Sequence, residues 1–193
     1  PAPRPQTPAV VRCVERGRRP ILVWSDAMWE PRAGCPFGFG SIGFVVKVPR
    51  PGGGYDVFFA LSEAPQDFLE ALDGMRGQKT FIHPLELLGI VAPYICPELS
   101  EIWRGADVLH FGDNNAANSV AIKGASGARD LSRLALVLHT RLAASATRLW
   151  IERVCSAGNI ADAPSRDDIA ALDDMGATQL SFAFPDLLAR ASL

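Results

Sequence analysis

From Ile21 onward the chain alternates apolar runs with turn-forming residues, and the period of the apolar positions changes partway along. Ile21-Leu22-Val23-Trp24-Ser25-Asp26 is a short run of strand formers that ends on a carboxylate. Gly34 to Gly40 is turn material, Ser41 to Val48 predicts a second strand, and Pro49 to Gly54 a tight loop. Tyr55 to Leu61 predicts a third strand, and three strands with such short connections predict an antiparallel meander.

Beyond this the spacing becomes helical. Gln66 to Met75 predicts a short helix. His83-Pro84-Leu85-Glu86 opens a longer one, with Pro84 suited to the first turn and Leu87, Leu88, Ile90, Val91, Tyr94 and Ile95 at helical spacing. Pro93 and Pro97 are expected to kink or divide it before Trp103. Asp107 to Asp113 predicts a fourth strand, again ending on an acid, and a helix follows from about Asn115 to Ile122. Leu131, Leu134, Ala135, Leu138, Leu142 and Ala146 form one continuous stripe, which predicts a helix from Arg129 to Ala146. Arg148 to Val154 alternates as a fifth strand, Ser156 to Gly158 turns the chain, and Asn159 is placed to cap a short helix carrying Asp162. The stretch from Asp167 to Leu193 is mixed and predicts no definite element. Leaving aside the short helix at Gln66, the order β-β-β-α-β-α-α-β-α is that of an α/β domain.

Composition narrows the class. The chain has 193 residues, 48% hydrophobic and 21% charged, with a formal net charge of −2, so it can bury a substantial core and is not a disordered chain. No apolar run approaches the roughly 18 residues that cross a bilayer, and the Pro- and Arg-rich start is no secretory signal, so no membrane partner is expected. A first residue of Pro1 leads to the expectation of a piece excised from something longer. Cys13, Cys35, Cys96 and Cys155 lie far apart without a CxxC or CxxH pair, which argues against zinc. Reduced thiols in an intracellular compartment, cytoplasm or nucleus, are expected.

Charge is uneven. Residues 1–19 hold Arg4, Arg12, Arg16, Arg18 and Arg19 against Glu15 alone, five cations less one anion, or +4. This arm either neutralises phosphates or is a solvated linker to a neighbouring domain. Residues 1–19 are therefore read as a basic Pro/Arg-rich linker, 20–166 as the folded α/β domain and 167–193 as a C-terminal extension.

Four acids stand at element ends: Asp26, Glu86, Asp113 and Asp162. If the first and fourth strands are parallel neighbours, Asp26 and Asp113 lie side by side at their carboxyl ends, where open α/β sheets place their sites. Glu86 shares its helix face with Gly89, Ile90 and Pro93, and a carboxylate there is costly to bury without a partner. Converging carboxylates without a His or Cys ligand set suit hard ions, Mg²⁺ or Mn²⁺. Spacing alone leaves the alternative that these acids only cap and turn, since Asp favours such positions.

The residues around the acids carry more. Ser25-Asp26-Ala27 with the glycines of Gly38-Phe39-Gly40-Ser41-Ile42-Gly43, then His83-Pro84-Leu85-Glu86-Leu87-Leu88, then Phe111-Gly112-Asp113-Asn114-Asn115-Ala116, each resemble segments of the ribonuclease H family. Asn159-Ile160-Ala161-Asp162-Ala163-Pro164-Ser165-Arg166 resembles the ending N-x-A-D-x-x-S-R of RNase H domains in reverse-transcribing elements, retrotransposon and hepadnavirus-like. The resemblance spans roughly residues 20–166. It implies a five-stranded mixed sheet of order 3-2-1-4-5 flanked by helices on both faces. It implies hydrolysis of the RNA strand of an RNA–DNA hybrid with two metal ions, Mg²⁺ or Mn²⁺, leaving a 3′-hydroxyl and a 5′-phosphate. Asp26, Glu86, Asp113 and Asp162 would be the catalytic and metal-binding acids, with Asp26 bridging both ions. A polymerase domain in the same polyprotein or complex would be the partner.

Asn114 and Asn115 follow the third acid, where they either touch the RNA minor groove and 2′-hydroxyl or cap the next helix. Arg166 either contacts a substrate phosphate or pairs with Asp162 or Asp167. The sequence departs from many cellular members in one respect: the loop Cys155 to Asn159 has no histidine, which predicts slower turnover. His83, His110 and His139 read as a helix-start, a strand and a packing residue. Lysine is scarce, with only Lys47, Lys79 and Lys123, so affinity for hybrid alone is expected to be modest. The four tryptophans read as core or rim packing in preference to base stacking. Two other functions share this reading of the fold: a scaffold that has lost catalysis, and a nuclease that acts on DNA.

Overall fold

A computed structural model describes residues 19–73 and 82–182. Most of the basic arm, the end of the first predicted helix at Met75, Cys13, Lys79 and the last part of the C-terminal extension lie outside the described residues.

The first strand is longer than its apolar run. β1 (Ile21–Arg32) continues past Asp26 and pairs antiparallel with β2 (Cys35–Pro49) from Leu22↔Lys47 to Arg32↔Cys35. Asp26 therefore sits in mid-strand, opposite Gly43, and the turn expected over Gly34 to Gly40 shrinks to Ala33-Gly34, with Gly34 at φ +81°. Ala27, Met28 and Trp29 continue the strand opposite Ile42, Ser41 and Gly40, and Glu30 opposite Phe39. β3 (Tyr55–Glu63) completes the meander against β2.

β4 (Asp107–Gly112) runs parallel to β1 over Ile21↔Val108 to Trp24↔Phe111, and β5 (Arg148–Arg153) runs parallel to β4. The sheet order is β5-β4-β1-β2-β3-β6. The expected order 3-2-1-4-5 is there, with one addition. β6 (Thr178–Gln179), from the segment whose mixed pattern predicts no element, joins the free edge of β3 in parallel, and the Leu180 amide donates to the Phe59 carbonyl at 2.8 Å.

Strand alternation gives the sheet two apolar faces. Val23, Phe44, Val46 and Ala60 point to the larger core, with α1 (Gln66–Asp73), α2 (Ile82–Ile95), α3 (Asn115–Lys123) and α4 (Arg129–Ser145). Val45 and Phe59 point the other way, to Ala161 and Leu172 beside α5 (Asp162–Ser165) and on α6 (Ala170–Asp174). α2 is apolar all round and buried from Pro84 to Ile95, as befits a helix packed between a sheet and other helices. It runs on through Pro93, which stands in its last turn with little helix left to break, and the expected division before Trp103 falls at Pro97. The Pro93 carbonyl is taken by the indole N–H of buried Trp103 at 3.0 Å, and Pro97 opens a separate 3₁₀ turn, Pro97–Leu99. Trp24 stacks on Phe111 with ring centroids 4.9 Å apart, but Trp150 on edge strand β5 is 67% exposed and packs into neither core. No helix among the described residues is long and apolar enough to cross a membrane.

Candidate metal centre

The parallel register sets the centre. Trp24 lies level with Phe111, so Asp26 and Asp113 are each two residues further along adjacent strands, on the same face. Glu86 reaches them from α2, which passes close to the β1 backbone: a Cβ on Gly89 would stand 3.2 Å from the Asp26 carbonyl oxygen. One carboxylate oxygen from each of Asp26, Glu86 and Asp113 lies within 4.8 Å of the others. Asp26 is 4% and Glu86 9% exposed, while Asp113 is half-buried at the mouth.

Asp162 stands apart from this group of three. It begins α5, and its carboxylate accepts from the Arg166 Nε at 3.0 Å, one turn along. Its charge still acts through space on Asp26 and Glu86, pushing both pKa values up. Arg166 is largely exposed, and the pairing with Asp162 is present.

Asn114 caps α3, its Oδ1 accepting from the Ala116 and Ala117 amides at 3.0 and 3.1 Å. It also hydrogen-bonds to Glu86, and its Nδ2 lies 3.5 Å from Nδ1 of His83. The cap and the contact with the acid group are thus made by one residue. Asn115 is exposed in the first turn of α3.

Two donors that the sequence reading did not connect to Asp26 hold it. Asn159, expected to cap a helix, sends its Nδ2 to Asp26 Oδ1 at 3.2 Å and to the Ser25 carbonyl at 3.0 Å. The residue before α5 is Ala161, whose side chain makes no cap. Ser165, 1% exposed, donates its hydroxyl to Asp26 Oδ2 at 2.7 Å, and the Ser41 hydroxyl donates to the Ser165 carbonyl. Gly43 makes this approach possible, because a Cβ there would meet the Ser165 amide nitrogen at 2.6 Å. The signal in the sequence is their place within N-x-A-D-x-x-S-R, together with a glycine that turns out to face Asp26.

Burial is the main cause of the electrostatics. It lifts Asp26 to about 6, reinforced by Asp113 and Asp162 and opposed by the Ser165 bond and, through space, Arg166. It lifts Glu86 to about 9, reinforced by Asp26 and Asp113 and opposed by the Asn114 bond. Behind β1, His110 is fully buried between the Ser25 hydroxyl at 2.8 Å and the Tyr94 hydroxyl at 3.0 Å, and burial lowers its pKa to about 3. It is a neutral structural group, as its strand position predicts. His139 Nε2 lies 2.9 Å from the Ala121 carbonyl and ties α4 to α3, in keeping with the packing role.

The donors fit a hard divalent cation. They are oxygen atoms alone, desolvated, mutually repelling, and short of positive charge, since Arg166 is already engaged by Asp162.

No protein-family model matches the chain, and no curated protein matches its sequence. Solved structures do. RNase H1 from the halophilic archaeon Halobacterium salinarum aligns with 81% of this chain and 99% of its own, at 18% identity and a TM-score of 0.54. The N-terminal RNase H domain of a Mycobacterium tuberculosis protein aligns with 81% of this chain and 98% of its own, at 17% identity and 0.52. The prototype foamy virus protease-reverse transcriptase aligns with 89% of this chain over 21% of its own length, at 11% identity and 0.50. At these identities the likeness is one of architecture, and it shows that the chain has the ribonuclease H fold.

Proposed function

We propose that this protein is a metal-dependent endonuclease that hydrolyses the RNA strand of RNA–DNA hybrids. The observation that carries the reading is the convergence of Asp26, Glu86 and Asp113 on one buried point of a ribonuclease H fold. In this reading Asp162 completes the set from its more exposed position on α5, and the four acids hold two ions, Mg²⁺ or Mn²⁺. Bound there, such ions supply an activated water and neutralise charge at the scissile phosphate.

The chain's own residues prepare that chemistry. Glu86 and Asp26 carry raised pKa values, so they give up protons as they accept cations, and metal binding is linked to pH. Asn114 holds Glu86 while its own backbone turns into α3. Asn114 and Asn115 follow Asp113 and in this reading contact the 2′-hydroxyl that distinguishes RNA from DNA. The exposed guanidinium of Arg166 serves a substrate phosphate.

The N-x-A-D-x-x-S-R ending and the likeness to a reverse transcriptase chain support a place beside a polymerase domain, in one polyprotein or complex. The test is cleavage of an end-labelled RNA strand paired to DNA, paired to RNA, or single, with Mg²⁺, Mn²⁺ or EDTA. Cutting of the hybrid alone, lost in EDTA and in Asp26→Asn, is expected. Equal cutting of a DNA strand would transfer the protein to the DNA nucleases. No cutting under any condition, with the polymerase domain present, would make it a scaffold.

A further inference from the structure

We infer that Asn159 and Ser165 are positioning residues that clamp the Asp26 carboxylate from two sides and leave one lone pair of each of its oxygens facing the acid group. The inference rests on the metal-dependent reading above. A carboxylate offers about four lone-pair directions on two oxygens. Asn159 takes one on Oδ1 at 3.2 Å, and Ser165 takes one on Oδ2 at 2.7 Å. No further side-chain donor to Asp26 is found among the described residues, so each oxygen keeps one direction open for a cation. Clamped on both oxygens, the group resists rotation about its terminal torsion, which is otherwise broad.

The clamp is itself braced. Asn159 Nδ2 also holds the Ser25 carbonyl at 3.0 Å, and its Oδ1 accepts the Ala161 amide at 3.3 Å. The Ser165 carbonyl accepts from Ser41 on β2, and the Asp162 carbonyl, 2.8 Å from Ser165 Oγ, shares the single hydroxyl proton with Asp26. A single short segment, Asn159 to Ser165, thus carries both jaws and the fourth acid. The segment can seat only because Gly43, opposite Asp26, has no side chain. The serine of N-x-A-D-x-x-S-R therefore acts on Asp26 over the seat at Gly43, and the asparagine acts on the same group. Outer donors of this kind tune the affinity of a metal site by about ten- to a hundredfold.

The experiment is a Mn²⁺ titration of the full chain without substrate, by calorimetry, on wild type, Ser165→Ala, Asn159→Ala and Asp26→Asn. Thermal melts and hybrid-cleavage kinetics run beside it. The clamp predicts Mn²⁺ affinity about tenfold weaker in Ser165→Ala and in Asn159→Ala. It also predicts a kcat that falls in step and recovers with added Mn²⁺, and a KM for hybrid within twofold of wild type. Wild-type Mn²⁺ affinity in folded Ser165→Ala overturns the clamp if Asp26→Asn has lost the ion. If Asp26→Asn also keeps it, the metal centre itself is wrong. Should Asn159→Ala fail to fold, Ser165→Ala decides. Failure of both to fold assigns the pair to stability alone and overturns the inference.

Discussion

Replacing Glu86 by glutamine should stabilise the protein when metal is withheld, and the gain should depend on pH in a calculable way. Burial lifts the Glu86 pKa from 4.5 to about 9, with Asp26 and Asp113 adding to the shift. A raised folded-state pKa in an acid means that folding takes up a proton between the two values, so stability falls as pH rises from 4.5 to about 9. At pH 7 the cost spans about 2.5 pH units, or about 3 kcal/mol at roughly 1.4 kcal/mol per unit. An amide keeps the shape of the side chain and can still bond to Asn114, but has no proton to take up. The gain should therefore be under about 1 kcal/mol at pH 5, about 3 kcal/mol at pH 7, and level off above pH 9. For a domain of this size that is a rise in Tm of roughly 6 to 12 °C at pH 7. Asp26 titrates in the same direction in both proteins and cancels to first order. Urea melts in EDTA at pH 5, 7 and 9 measure the difference directly. A gain that ignores pH, or a variant less stable than wild type at pH 7, refutes the reasoning. Added Mg²⁺ should close the gap from the wild-type side, because the ion binds the folded carboxylates only.

Three further outcomes test other links. Asp113→Asn should abolish hybrid cleavage in an RNase H assay while leaving the circular dichroism spectrum native, since it removes a repelling charge from a half-buried site. Gly43→Ala should cost about 2 kcal/mol in chemical denaturation, because its Cβ would press on the Ser165 backbone and lift α5 from β2. Cleavage by the folded fraction of that variant should fall as well. Removing residues 1–18 should weaken hybrid binding in low salt and flatten the dependence of log Kd on log salt if the arginines neutralise phosphates. An unchanged salt series would make the arm a linker.

What the sequence discloses here is what periodicity and parity encode. The Leu131–Leu142 stripe gives α4, the apolar run of α2 gives a central helix, and the two apolar runs that lead into Asp26 and Asp113 give the adjacency of those acids. The true length of β1 is hidden because Gly38 and Gly40 look like turn residues, yet both lie in β2, Gly40 opposite Trp29 and Gly38, at φ +79°, beside the register shift between Glu30 and Arg32. β6 is two residues long and owes its place to the open edge of β3, which no local pattern reveals. Pro93 misleads because its effect depends on how much helix follows it. Among the site residues, the three gathered acids are legible, and the separation of Asp162 follows from its pairing with Arg166 at one helical turn. Ser165 is illegible as a donor to Asp26, since the two are 139 positions apart and meet only through the seat at Gly43.

The same contacts explain how a cluster that destabilises the fold can persist within it. Three carboxylates drawn together, Asp26 and Glu86 of them out of water, oppose folding, and the raised pKa values of those two reflect that opposition. The surroundings answer with donors to the charged forms: Ser165 and Asn159 on Asp26, Asn114 on Glu86. The Ser165 and Asn114 bonds lower the two pKa values without cancelling the shift, so the group stays short of positive charge. A fully satisfied cluster would have little left to offer a cation, and an unsupported one would protonate and turn away. The rest of the stability comes from elsewhere in the molecule, from the buried length of α2 and the two apolar faces of the sheet. These hold the strand ends in register whether or not the acids are charged. Strain at the centre and stability around it are thus one arrangement, and weakening the acids should strengthen the fold while it ends the chemistry.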